Sequence, residues 1–473
     1  MSLENFSLMR HELLLTAVLL LILIAEIFWD PAWKKSIMTF SVILFSIITL
    51  IGFLPSPSGS LFGGMYLVSP TILLMKNVLN IGVLIVLIQS FTWLAKDENS
   101  EKISEYFILL LSTLTGMSFM ISSGHFLMFY LGIELATIPL ASLAAYDRYK
   151  NKSAESGIKL ILSSALSSGI LLYGLSMIYG TTGSLYFSEV GRLFAGSNLA
   201  ILGFIFFFTG MAFKISIVPF HLWTADVYEG APVNVTSYLS VISKGAALFI
   251  FIITLFTVFP AITEIWQKMI YVLSILTMTV GNLFAIRQQN LKRFLAFSSI
   301  SQAGYILLGI IGGNELGMAS VIYYALVYIF SNLGAFGVVI AISNATGKEN
   351  IDDYNGLYKT NPGLSLIMMI SLFSLAGIPP VAGFFGKFFL FTAAAEKGFY
   401  ILVLIAVLNT VMSLYYYLLV VKAMFINKSE EPIQNFRSDF PTRLALTVCV
   451  TGIVVLGFAS IIFEYIRSLS FGV

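Results

Sequence analysis

The sequence predicts an all-α polytopic membrane protein of about fourteen transmembrane helices, with two inverted five-helix repeats that each hold one broken helix. Three observations predict it: an apolar composition, a succession of apolar runs of bilayer length, and two proline breaks at matching places. Of 473 residues, 58% are hydrophobic and 11% charged, and the mean hydropathy is +0.92. A soluble chain of this length needs far more charge to cover its surface. The net charge of +2 supplies no basic face for nucleic acid. The single cysteine, Cys449, excludes an intramolecular disulfide and a cysteine-based metal site. It lies in a late apolar run and reads as a small core- or lipid-facing residue.

In chain order, the first apolar run, Leu13 to Trp29, lacks a basic n-region and an A-x-A cleavage site, so it reads as a retained helix. Runs of about 20 apolar residues place spans at 12–29, 34–54, 71–94, 104–122, 125–146, 157–180, 199–220, 232–258, 268–286, 294–312, 317–342, 363–396, 399–425 and 442–466. The longest connections, 55–70, 181–198, 343–362 and 426–441, hold no soluble domain. The division expected from this is one membrane domain: three N-terminal helices over 1–103, a first repeat over 104–258, a second over 268–425, and a C-terminal loop and helix over 426–473.

The repeats rest on the breaks. In the seventh span Lys214 is followed by Pro219 and the polar stretch HLWTADVYEGAP. In the twelfth, AGIPPVAG (376–383) interrupts the apolar run. Proline removes a backbone donor and clashes with the preceding turn. The distance from the start of the fourth span to Pro219 nearly equals that from the start of the ninth to Pro379. Each unit holds five helices, an odd number, so the second is inverted relative to the first. The alternative is two ordinary kinks.

Lysine and arginine counts give the orientation. Lys34, Lys35, Lys96, Lys102, Arg148, Lys150, Lys152, Arg287, Lys292, Arg293, Lys348, Lys359, Lys422, Lys428, Arg437 and Arg443 fall in or beside the odd-numbered connections. Arg10, Arg192, Lys268, Lys397 and Arg467 fall on the opposite side. The asymmetry expects odd connections in the cytoplasm and both termini on the periplasmic side.

The remaining basic residues lie within spans: Lys76, Lys159, Lys214, Lys244 and Lys387. A charge at the bilayer centre costs roughly 2.5–3.5 kcal/mol even on mild insertion scales. Lys214, Lys244 and Lys387 are deepest, and lysine readily changes protonation when buried. A row of them, bridged by water, can pass a proton across the membrane plane. Glu134, in FYLGIELATIPLASL, is the partner expected for Lys214; a static ion pair is the alternative. Lys159 follows Glu155 by four residues, a local pair that competes with a relay role. Lys76 sits near its helix start and reads as snorkelling to the interface. His221, seven residues after Lys214, faces the same way on a continuing helix. It serves either as a relay or as a partner for the broken backbone. Asp226 and Glu229 read as loop charges or caps, and His125 as an interfacial residue. The serines of SSALSSG (163–169) and FSSISQAG (297–304) read mainly as packing, some as the lining of a water file. There is no P-loop, dinucleotide fingerprint or metal-ligand spacing, so no cofactor is expected in this chain.

At these residues the chain resembles the antiporter-like membrane subunits of respiratory complex I, the proton-pumping NADH–quinone oxidoreductase. The resemblance is carried by YLGIELATIPLASLAAY (130–146), the long stretch 153–185, FKISIVPFHLWTADVYEGAPVNVTSYLSVISKGAA (213–247), LKRFLAFSSISQAGYILLG (291–309) and SLAGIPPVAGFFGKFFLF (374–391). PFHLWTADVYEGAP is the most specific and is similar to the N-type chains, the counterparts of mitochondrial subunit two. L- and M-type siblings and the multisubunit sodium/proton antiporters differ after the tryptophan. The chain ends soon after the fourteenth span, which fits N or M and not L.

The resemblance implies that Glu134 pairs with Lys214, that Lys244 is the bridging lysine and that Lys387 is the terminal basic residue, where M-type chains carry glutamate. Lys159, Glu155 and Lys292 also fall in motifs of the family. The resemblance places flavin, iron–sulfur clusters and quinone in partner subunits. The partners it implies are L- and M-like antiporter subunits and small membrane subunits, in a bacterial inner membrane. The other function weighed is a sodium/proton antiporter subunit. A sodium site wants several oxygen ligands, and apart from Glu134 the spans offer few deep carboxylates.

Overall fold

Hydropathy alone lays out the architecture. The computed structural model of the protein describes residues 7–29, 35–147 and 149–469; Lys34 and Arg148 lie outside them. The chain folds into α1 (Arg10–Phe28), α2 (Ser36–Gly52), a hairpin of β1 (Gly59–Leu61) and β2 (Tyr66–Val68), and α3 (Pro70–Gln89). There follow α4 (Ile103–Ile121), α5 (Phe126–Ala144), α6 (Asn151–Thr182), α7 (Asn198–Ile215), α8 (Leu222–Gly230) and α9 (Val233–Thr257). The next set is α10 (Thr263–Ala285), α11 (Leu291–Gly312), α12 (Glu315–Thr346), α13 (Pro362–Ala376), α14 (Ala382–Glu396) and α15 (Tyr400–Phe425). The chain closes on α16 (Phe440–Phe458) and α17 (Ser460–Leu469). Every expected span has its helix, and each five-helix set breaks in its fourth member, as α7/α8 and α13/α14.

Local chemistry fixes the ends. Ser69, His125, Ser197, Asn290 and Asn314 each accept a backbone N–H at a helix start. Gly183, Gly313 and Gly347 close helices with positive φ. The hairpin pairs antiparallel, Gly59 opposite Val68. Backbone bonds from Leu67 N to Ser122 O (2.7 Å) and Gly124 N to Met65 O (2.8 Å) hold it to the α4–α5 turn. One boundary is corrected: the apolar run read as 442–466 ends at Phe458, and the chain restarts as the separate helix α17.

The breaks are satisfied by side chains, as a backbone remote from water requires. At the first, Ser216 takes φ 68°. Trp223 Nε1 donates to Phe213 O (3.1 Å), and Val218 N donates to Thr277 Oγ1 (3.1 Å). At the second, Gly377 takes φ 86°. Gln302 Nε2 donates to Leu375 O (3.1 Å) and Lys387 Nζ to Ala376 O (3.1 Å), while Gly383 N donates to Ser374 Oγ (3.1 Å). These carbonyls end α13 and have no partner within it.

The bundle is densest around α9, α11 and α12, whose apolar windows are 89%, 100% and 94% buried. That centre holds the polar residues described next. Packing is also tight between α4 and α5. A Cβ on Gly132 would lie 2.6 Å from Met120 N, and one on Gly116 would lie 2.7 Å from the Leu135 carbonyl carbon.

Candidate functional site

Lys214 lies in the last turn of α7. Its ammonium donates to Thr137 Oγ1 on α5 at 2.7 Å. Glu134 sits one turn before Thr137 on α5, and its Oε1 is buried with no hydrogen-bond partner. The expected direct Glu134–Lys214 bond is therefore not formed: Thr137, within reach on the same face, takes the ammonium. A cavity of about 20 Å³ beside Lys214 is lined by Thr137, Ser243 and Ala247 among others, room for about one water.

Lys244 follows directly on a π-helical turn, Leu239–Ser243, inside α9. Such turns recur at functional positions because they redirect side chains. Lys244 is 4% exposed. It donates to Ser299 Oγ on α11 at 2.7 Å, and its ammonium lies 5.3 Å from the Tyr228 ring centroid. A second cavity of about 20 Å³ adjoins Lys244, Ser299, Gln302 and Tyr328. Since Ser243 lines the first cavity and Lys244 the second, adjacent residues of α9 separate the two lysine sites.

Lys387 is 3% exposed and holds Ala376 O across the second break, 4.4 Å from the Tyr305 ring centroid. Between it and Lys244 runs a hydrogen-bonded strip on α11 and its neighbours. Tyr417 and Ser298 share a bond at 2.5 Å, Gln302 Nε2 donates to Tyr417 OH at 3.2 Å, and Tyr324 OH donates to Gln302 Oε1. Asn282 Nδ2 reaches Tyr305 OH at 3.4 Å, and Tyr416 OH donates to Asn282 Oδ1 at 3.0 Å. Among the described residues no carboxylate lies within ion-pair distance of Lys214, Lys244 or Lys387. Hydroxyls, a carbonyl and aromatic faces are their partners.

Sequence reasoning missed Thr137, Tyr228, Gln302 and the other tyrosines, and singled out none of the FSSISQAG serines as the partner of Lys244. The signal was present: Ser298, Gln302 and Tyr305 recur at i, i+4, i+7, a polar stripe along a buried helix.

The other candidates sit elsewhere. Lys159 is 41% exposed and bridges Glu155 (2.6 Å) and Asp226 (2.8 Å). Arg293 bonds both Asp226 (2.8 Å) and Glu229 (3.0 Å). Burial acts to raise the carboxyls of Asp226 and Glu229. The bonds from Lys159 and Arg293 to Asp226, and from Lys152 and Arg293 to Glu229, outweigh it and hold both below the usual range. Lys292 pairs with Glu349 at 3.1 Å. His221 does not continue the Lys214 helix, because the chain turns at Ser216; its Nδ1 is buried without a hydrogen-bond partner.

Lys76 overturns its expectation. It does not snorkel but is 1% exposed, bonded to Glu12 Oε1 at 2.5 Å and to Tyr66 OH at 3.1 Å. Tyr66 OH in turn donates to Glu12 Oε2 at 2.6 Å. Among the described residues no group of three or more His, Cys, Asp or Glu could hold a metal ion.

Comparison with known proteins then decides the family. The profile of the family described as "NADH:quinone oxidoreductase/Mrp antiporter, TM" matches residues 123–413. The chain belongs to this family. Within the NADH:quinone oxidoreductase/Mrp antiporter family, it is 53% identical to the NADH-quinone oxidoreductase subunit N of Phocaeicola vulgatus, over 96% of this chain and 97% of that one. It is 51% identical to the subunit N of Azobacteroides pseudotrichonymphae, over 100% and 99%. Among solved structures it is similar to a chain of respiratory complex I from Thermus thermophilus, with TM-score 0.80, 26% identity, and 96% and 98% of the two chains covered. The Mrp complex of Dietzia has a chain of the same fold, with TM-score 0.84 at 19% identity, over 99% and 97%.

Proposed function

We propose that this chain is the N-type proton-translocating membrane subunit of a NADH–quinone oxidoreductase, driven by quinone reduction in other subunits. The observation that carries this is the row Lys214, Lys244 and Lys387: buried or part-buried ammonium groups that contact only neutral partners, joined by cavities and hydroxyls. A lysine held by hydroxyls can lose and regain its proton without orphaning a carboxylate, because a hydroxyl can both donate and accept. Tightly bonded to an anion it would stay charged.

In this reading Glu134 biases Lys214 by its charge, without a direct bond. With a carboxylate charge nearby, the Lys214 ammonium is favoured; when that charge is withdrawn or neutralised, the proton moves by the Ser243 cavity towards Lys244. From Lys244 it passes by Ser299 and the Gln302–tyrosine strip to Lys387, which alternates between Ala376 O and water. His221, with a free ring nitrogen, sits beside the first break as a relay, and Lys159 belongs to a peripheral charge cluster. The 104–258 and 268–425 units each contribute one half of the path. Flavin, iron–sulfur clusters and quinone belong to partner subunits, L- and M-like chains and small membrane subunits complete the arm, and both termini face the periplasm of a bacterial inner membrane.

Subunit N relatives above 50% identity favour this reading over a sodium/proton antiporter subunit. The test is Lys214→Ala in the assembled complex, reconstituted in vesicles. We expect normal assembly, proton translocation reduced about 10²-fold, and wild-type translocation undiminished by sodium depletion. Normal pumping by the variant removes Lys214 from the path, and a sodium requirement replaces the proposal by the antiporter reading.

A further inference from the structure

We propose that the groove between the start of α13 and the start of α16 binds the phosphate headgroup of an anionic phospholipid. The groove has a volume of about 500 Å³ and is lined by Asn361, Gly363, Ile367, Arg437, Arg443 and Leu446 among others. Three features of different kinds converge there.

The first is charge. Arg437 and Arg443 both line the groove and are exposed, and among the described residues neither guanidinium has an ion-pair or hydrogen-bond partner. Asp439, between them in sequence, is the N-cap residue of α16 and does not line the groove. Two like charges facing one cavity repel, and an anion between them removes that penalty. A guanidinium also matches the geometry of a phosphate with paired N–H donors.

The second is backbone. Asn361 stands at the N-cap of α13, a helix of 15 residues, but does not cap it. Its amide instead pins the preceding loop of α16, donating to Gln434 O at 3.1 Å and accepting from Phe436 N at 3.3 Å. Gly363 and Leu364, whose first-turn N–H groups have no partner within α13, both line the groove and add the positive end of a helix dipole there. Nothing stands within 4 Å of where a Cβ on Gly363 would lie.

The third is the floor. Ile367 and Leu446 carry the groove onto apolar helix faces, where Leu366 and Leu444 are 41% and 42% exposed. Phe440, 68% exposed, stands at the start of α16, the level at which aromatic side chains mark a membrane interface. A soluble anion has no use for that floor, whereas acyl chains do. Basic pockets between membrane helices are recognised headgroup sites, each arginine contributing about 1 kcal/mol.

The experiment is native mass spectrometry of the purified full chain in detergent with added phosphatidylglycerol or phosphatidylcholine. Wild type should retain one phosphatidylglycerol in preference to phosphatidylcholine. The double variant Arg437→Ala, Arg443→Ala should weaken retention about thirtyfold. Gly363→Leu, which keeps every charge but fills the groove, should also lose it, and both variants should keep the wild-type melting temperature in lipid-free detergent. Equal retention of the two lipids, or undiminished retention by both variants, overturns the proposal. Displacement by millimolar inorganic phosphate would make this a free-anion site. A cross-link from the groove to a neighbouring subunit, with lipid absent in the assembled complex, would make it a protein interface.

Discussion

Lys76 and Lys244 are both buried ammonium groups inside apolar helices, and the fold treats them in opposite ways. Lys76 is locked: Glu12 and Tyr66 close a three-membered ring of bonds around it, the carboxylate supplying the counter-charge. Lys244 has one hydroxyl, one aromatic face and a cavity of about 20 Å³. The locked site belongs to the three N-terminal helices, the open one to the centre of the bundle. A buried lysine with a bonded carboxylate holds helices together; one with only neutral partners is free to change protonation.

The sharpest way to break this comparison is at Glu12. Glu12→Gln leaves Lys76 buried without its anion, and breaking such a pair typically costs about 3–5 kcal/mol. We expect a large fall in melting temperature in detergent, with translocation per folded complex unchanged. Adding Lys76→Met should recover most of the loss; if Glu12→Gln is neutral, the ring is not a structural lock.

Lys244→Met should give the reverse pattern. No carboxylate is orphaned, so the fold holds while proton translocation in vesicles falls about 10²-fold. A destabilised but active variant would make the two lysines alike.

Lys387 tests whether titration or charge matters. It meets a carbonyl and the Tyr305 ring, with no bonded anion. Lys387→Glu can still carry a proton and should retain pumping within about tenfold of wild type, while Lys387→Met should lose about 10²-fold, at equal assembly. Equal activity of the two variants would end the path at Lys244.

The smallest effect belongs to the peripheral cluster. Asp226 and Glu229 have folded-state pKa values held below 3.8 and 4.5 by their basic partners. Their stabilisation is therefore full above those values and lost as pH falls through the depressed ones. Asp226→Asn should flatten the acid limb of the stability curve below about pH 4, by at most about 1 kcal/mol for an exposed pair. Translocation at neutral pH should be unchanged.

How far the sequence could be read follows the range of each interaction. Spans and breaks were legible because hydropathy and proline act within a few residues. The row of lysines was legible because a charge deep in an apolar run stands out. Lys76 was misread because Glu12, its partner, comes from another helix; position along one helix cannot reveal that. The Glu134–Lys214 contact was drawn too directly, since a threonine one turn along α5 looks like packing until α7 is set against it. The α11 stripe was half seen as serines, and the tyrosines that complete it come from α12 and α15.

The contact of Gly116 with Gly132 sets how this machine can move. With backbones touching where side chains would stand, α4 and α5 have no cushion between them and slide or roll past each other only by collision. Glu134, two residues beyond Gly132 on the same helix, is thus mounted on a stiff rail, and the mobile parts near it are the lysine stem of Lys214, a hydroxyl and water. A methyl group added at either glycine would work as a wedge, shifting the carboxylate relative to Lys214 without touching either charge. Fidelity of the coupling would depend on two positions that carry no chemistry at all.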